Sequence, residues 1–159
     1  KLISEMECDH YQKLYNIKCV CLRYFNAYSE DQEYGGSYST VVAAWMQMMR
    51  DGKSLRIDGD GEQSRDFVHV DDIVGANIWC MNNINKVIDL WYDVGYGETC
   101  TLNEIREIVN NHNKVRWEMM PEREGDVKHT KIGEQRLQKI GWKPTISLHS
   151  GLENCFKPK

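Results

Sequence analysis

Fourteen consecutive residues, Gly59-Asp60-Gly61-Glu62-Gln63-Ser64-Arg65-Asp66-Phe67-Val68-His69-Val70-Asp71-Asp72, constrain the fold more than any other part of the chain. Gly59 and Gly61, one residue apart, allow a tight turn with positive φ. Phe67-Val68-His69-Val70 then reads as a strand of β-favouring residues. Asp71 follows as a helix N-cap, with Asp72 at the positive end of the helix dipole. Arg65 stands where the loop enters the strand. That position suits a fixed cation meeting an anionic ligand, and it equally suits a surface pair with Asp66 or Glu62.

The 159 residues suffice for one domain with a real core, and 41% hydrophobic with 28% charged residues exclude both a disordered tail and a membrane protein. A formal net charge of -4 with scattered basic residues gives no nucleic-acid surface. No run approaches the roughly 18 apolar residues of a membrane span. The six cysteines lie mostly inside apolar runs without a CxxC pair. They read as reduced core residues of a cytoplasmic protein, neither a disulfide frame nor a zinc site. The five histidines show no HxxxH or HExxH spacing, so no metal is expected.

The chain opens on a helical pattern, with Leu2, Met6, Leu14 and Tyr15 near one face. Residues 17–25 are apolar at odd and even positions alike, which predicts a strand buried on both faces and ended by Asn26. Ligands of open α/β sheets gather beyond the carboxyl ends of strands, so Tyr24, Phe25 and Asn26 mark a candidate site; Asn26 also reads as a plain turn-former. After a polar, acidic loop, 38–50 predicts a helix with Trp45 and its methionines in the core, closed by Asp51-Gly52. Short strands are expected at 55–57, 91–95 and 115–119, and helices at 71–81, 133–140 and 148–156. Gly95-x-Gly97 is too incomplete for a dinucleotide fingerprint, since Cys100 stands at the third glycine position. Thr101-Leu102-Asn103-Glu104 is a capping box that starts a further helix. Arg123, in Pro121-Glu122-Arg123-Glu124-Gly125-Asp126, is a second arginine on a glycine turn. Two fixed guanidiniums suggest a diphosphate, whose oxygens they match in bidentate geometry.

Together these motifs resemble the C-terminal portion of the extended short-chain dehydrogenase/reductase family, specifically its NAD-dependent nucleotide-sugar epimerases and dehydratases. The matching pieces are 22–26, 59–72, 92–95, 123–126 and 140–144, in the family's order over nearly the entire chain. Within the family the chain is most similar to UDP-glucose and UDP-N-acetylglucosamine 4-epimerases, through Gly36-Ser37-Tyr38 and the run from Gly59 to Phe67. The resemblance implies an α/β fold: the last parallel strands of an extended Rossmann-type fold plus a small α/β substrate-binding domain. Residues 1–159 would form a single partial domain, with 1–26 from the edge of the Rossmann core and 27–159 mainly binding the nucleotide sugar.

Lys1 looks like the lysine of the family's Tyr-x-x-x-Lys motif, which places the tyrosine, the glycine-rich loop and the first strands ahead of this chain. In the intact family the tyrosine takes a proton from the sugar 4-hydroxyl while hydride passes to NAD, giving a 4-keto intermediate that is reduced on its other face. Lys1 would lower the tyrosine pKa and hold the nicotinamide ribose, and Tyr24 would lie near the nicotinamide. Asn26 would bond the sugar diphosphate, Val41 and Arg56 would border the uridine, Arg65 and Arg123 would clamp the diphosphate, and Asp126 would face the nucleotide ribose. The family's Gly-Pro-Arg after Asn-x-Tyr is Ser29-Glu30-Asp31 here, which puts affinity and sugar choice in question.

The expected function is therefore the nucleotide-sugar-binding part of an NAD-dependent UDP-sugar 4-epimerase, without turnover or tight NAD binding on its own. The alternatives are a non-catalytic nucleotide-sugar-binding or interaction module, or part of a 4,6-dehydratase. Expected partners are a UDP-sugar and either a second copy or a complementary N-terminal half, reached through the apolar face of the opening helix.

Overall fold

The computed structural model describes residues 1–35 and 39–158. Its elements are α1 (Leu2–Tyr15), β1 (Cys21–Tyr24), β2 (Asn26–Tyr28), α2 (Val41–Arg50), β3 (Leu55–Asp58), β4 (Ser64–His69), α3 (Val70–Asn82), β5 (Trp91–Val94), β6 (Thr99–Thr101), α4 (Leu102–His112), β7 (Trp117–Met120), β8 (His129–Thr130), α5 (Arg136–Lys139) and α6 (Leu148–Phe156). Pairing is mostly parallel: β1 with β5, β2 with β4, β3 with β7 and β4 with β8. Among the described residues only β6 runs antiparallel, against β4. The α/β class expected from the sequence is the observed one.

The centre of the arrangement is β4, because it changes partners along its length. Its first half, Ser64 to Asp66, lies between β6 and β8; its second half, Phe67 to His69, pairs with β2. The glycine turn before it is as expected, with φ of 80° at Gly59 and 79° at Gly61. Gly61 has a further reason to be glycine: a Cβ there would run into the Asn103 side chain, whose amide ties down Asp60 O at 3.0 Å and Glu62 Oε1 at 2.6 Å.

Two cores flank the sheets. One gathers α2, α4 and α6 around Trp45, Leu55, Ile57, Phe67, Ile105 and Phe156. The other packs α3 and α5 on β5, through Val68, Ala76, Tyr92, Val94, Leu137 and Trp142. α2 starts where Thr40 accepts a bond from Ala43 N, and α4 begins with the expected capping box, Thr101 and Glu104 each satisfying the other's backbone N–H.

Several expectations are corrected. The strand read over 17–25 is only Cys21–Tyr24, half-buried and exposed at Tyr24: among the described residues it pairs with β5 in a two-stranded sheet, and nothing covers its faces fully enough to bury it. Asn26 does not end a strand; it opens β2. The cap of α3 is His69, whose Nδ1 accepts from Asp71 N at 3.2 Å, so Asp71 and Asp72 fall in the first turn. The helix expected over 133–140 shrinks to one turn at Arg136–Lys139. Of the six cysteines, all free, only Cys80 and Cys100 are buried. Residues 36–38 lie outside the described residues, so Gly36-Ser37-Tyr38 receives no structural account. No described helix is long and apolar enough to cross a membrane, and no described group of three or more side chains could hold a metal ion.

Candidate functional site

A cleft of about 580 Å³ opens between α2, β3, the start of β4 and the loop after β7. Each wall follows from a local rule. In β3 the alternation of a strand sends Leu55 and Ile57 into the core and leaves Arg56 and Asp58 on the cleft side. Along α2 the helical period turns Val42 and Trp45 inward while Val41 borders the cleft. Trp45 fixes the floor, donating from Nε1 to Arg56 O at 2.9 Å and packing edge-on against Trp117.

Six of the eight residues singled out from the sequence meet in this cleft: Asn26, Val41, Arg56, Arg65, Arg123 and Asp126. Asn26 donates to Asp66 O at 2.8 Å, at the point where β4 changes partners. Arg65 is held on three sides, donating to Ser64 O at 3.0 Å, Lys128 O at 3.1 Å and Asp126 Oδ1 at 2.8 Å. That pairing decides between the two partners named for it, Asp66 and Glu62: it takes neither. Arg123 reaches Asp58 Oδ2 at 2.5 Å. Gly125, at φ 78°, turns the loop so that Arg123 and Asp126 both face inward, and the β4–β8 pairing keeps that loop beside Arg65.

Lys1 and Tyr24 do not line this cleft. Lys1 is exposed at the head of α1, and its carbonyl accepts Glu5 N at 3.2 Å. Tyr24 is half-exposed at the end of β1, and its hydroxyl meets the Asn77 amide at 2.9 to 3.1 Å.

Two further residues shape this region, Asp58 on the cleft wall and Asp66 behind it. Asp58 was detectable, because it stands two residues from Arg56 on an alternating strand. Asp66 was not. It is fully buried under the cleft, where its carboxylate accepts from Tyr96 N at 2.8 Å, Gly97 N at 3.1 Å and Ile132 N at 3.3 Å. Burial pushes its pKa up, against the pull of those backbone bonds. Burial likewise raises the Tyr28 hydroxyl next to this region.

The same bonds settle whether Gly95-x-Gly97 could cradle a dinucleotide. Its N–H groups at Tyr96 and Gly97 already serve Asp66, and a Cβ at Gly97 would collide with the Gln135 side chain. Among the described residues, the N–H groups of this turn are therefore committed to Asp66.

Comparison with known proteins agrees with this geometry. Residues 1–95 match the NAD dependent epimerase/dehydratase family. The chain is 32% identical over 155 residues to a Methanocaldococcus jannaschii protein provisionally named UDP-glucose 4-epimerase, covering 96% of this chain and 49% of that one. Among solved structures it is similar to the UDP-N-acetylglucosamine 4-epimerase of Methanobrevibacter ruminantium in complex with UDP-N-acetylmuramic acid. There the identity is 30% and the TM-score 0.83, over 96% of this chain and 49% of that one. It is also similar to the UDP-glucuronic acid 4-epimerase of Bacillus cereus in complex with UDP-glucuronic acid and NAD, at 26% identity and TM-score 0.81, over 98% and 49%. The chain therefore spans about half the length of the relatives it matches.

Proposed function

We propose, for a chain that belongs to the NAD dependent epimerase/dehydratase family, that its cleft is the nucleotide-sugar-binding part of a UDP-sugar 4-epimerase. The observation that carries this reading is the meeting of Arg65 and Arg123 at one cleft with Asn26, Arg56 and Asp126. Guanidiniums fixed from two sides suit the paired phosphates of a nucleoside diphosphate, and the Asn26 amide adds a neutral donor. Val41 and Arg56 border the end of the cleft that would take the base, and Asp126 would accept from ribose hydroxyls. Uridine is favoured because the two similar solved structures just described are complexes with UDP-sugars.

Hydride transfer in such an enzyme belongs to NAD. The part proposed for this chain is to bind and orient the sugar nucleotide. Lys1 and Tyr24 are its proposed contribution to the cofactor side. Incubating the chain with NAD and UDP-glucose and separating the sugar nucleotides tests this division. No UDP-galactose is expected; its appearance would contradict the assignment of binding alone to this cleft.

A further inference from the structure

The charged residues lining the cleft nearly cancel: three arginines, Arg56, Arg65 and Arg123, stand against two aspartates, Asp58 and Asp126, a balance of one positive charge. The two cations at the mouth are nevertheless held differently. Arg65 spends one of its bonds on Asp126 and two on the backbone carbonyls of Ser64 and Lys128. Arg123 is 75% exposed and is tied by Asp58, which is only 25% exposed. Asp58 is the fixed member, at the end of β3 in register with Met120 of β7. The exposed member is the long Arg123 side chain, three residues beyond Met120.

We propose that Asp58 is a charge gate over Arg123, holding the guanidinium until a multiply charged phosphate displaces the carboxylate. This inference rests on the nucleotide-diphosphate reading of the cleft and names a residue that tunes it. A phosphate oxygen approaching Arg123 has to take the guanidinium from Asp58, and the released carboxylate then faces the incoming charge. A singly charged anion gains little, since it exchanges one such pair for another. A diphosphate gains more, because a second anionic group reaches Arg65 at the same time. Asp58 thus lowers affinity and selects for charge, whereas a residue that merely steadied Arg123 in its bound position would raise affinity.

The two roles have opposite signs in one experiment. Calorimetric titration of UDP and of neutral uridine is carried out on the chain and on Asp58→Asn, with thermal melts of both. The gate predicts that Asp58→Asn binds UDP about five-fold more tightly, the scale of one exposed ion pair, while uridine is unaffected. Asp58→Glu, which restores the charge, returns UDP binding towards the wild-type strength. Should Asp58→Asn not fold, Asp58→Ser supplies the same comparison. Equal or weaker UDP binding in the uncharged variant overturns the gate and leaves the cleft assignment standing. No UDP binding by wild type or variant overturns both.

Discussion

Asp66 illustrates how a single side chain can hold a cleft together without lining it. Its carboxylate joins β4 to the 95–97 turn and to Ile132, and its carbonyl receives Asn26. An asparagine there would turn an N–H₂ group towards N–H donors. Asp66→Asn is therefore expected to cost about 2–3 kcal/mol in urea unfolding, the penalty of unsatisfied buried donors. The carboxyl also gives stability a pH signature. Because its folded pKa is raised, the folded state holds the proton more tightly than the unfolded chain. Asp66 thus favours folding below the ordinary aspartate value of about 3.9, and that contribution is lost as pH rises through the raised value. Relative to Asp66→Asn, wild-type stability should decline with rising pH across that window, and parallel curves for the two proteins would contradict the assignment. From sequence, Asp66 looked like a surface partner for Arg65, since its three donors come from segments 30 and 66 residues away and only folding brings them together. Arg56 and Asp58, by contrast, share a cleft face that plain alternation along a strand reveals.

At the scale of elements, the helices with clear caps and periodic faces were readable, α2 and α4 above all. Strands were less so, because a strand's burial is decided by its neighbours. The apolar run at 17–25 yields a half-buried β1 with β5 on one side. β2, β6 and β8, two or three residues each, carry no periodic pattern of their own. α1 is the one described α-helix with no buried residue. It is anchored by Glu5, which accepts from Arg23 Nε at 2.7 Å, while Arg23 and Arg136 lie over the Trp91 ring with their guanidinium carbons 3.9 and 4.0 Å from its centre. Arg23→Ala is expected to speed amide exchange in α1 while α2 and α4 keep their protection, as measured by hydrogen exchange with mass spectrometry. Acid should act in the same direction. The Arg23 bond lowers the Glu5 pKa, so its anchoring contribution is present above the ordinary glutamate value and is lost as pH falls through the lowered one. Protection of α1 that is indifferent to both changes would mean that it is held by something else.

For the whole molecule, motif order along the chain was enough to indicate the family, because its signature residues sit at element junctions that the sequence displays directly. The gathering of the cleft was not legible. Its residues come from β2, α2, β3, β4 and the 121–126 loop, and their convergence depends on β4 exchanging β6 and β8 for β2 midway. The molecule also presents an apolar surface along α1, where Leu2, Ile3, Met6, Leu14 and Tyr15 are all more than half exposed. Such a surface favours association. Light scattering is expected to show a species larger than a monomer, reduced by Ile3→Lys with Met6→Lys; a clean monomer of the unaltered chain would count against it.

The central claim is that Arg65 and Arg123 hold the diphosphate of a nucleotide sugar. Calorimetric titration of UDP into the wild-type chain and into Arg65→Ala tests it most directly. Measurable binding by wild type is expected, weakened at least about ten-fold or lost in the variant while its melting curve remains cooperative, as follows when a charged hydrogen-bonding partner of the ligand is removed. Absence of heat with wild type, or undiminished binding by Arg65→Ala, would contradict it.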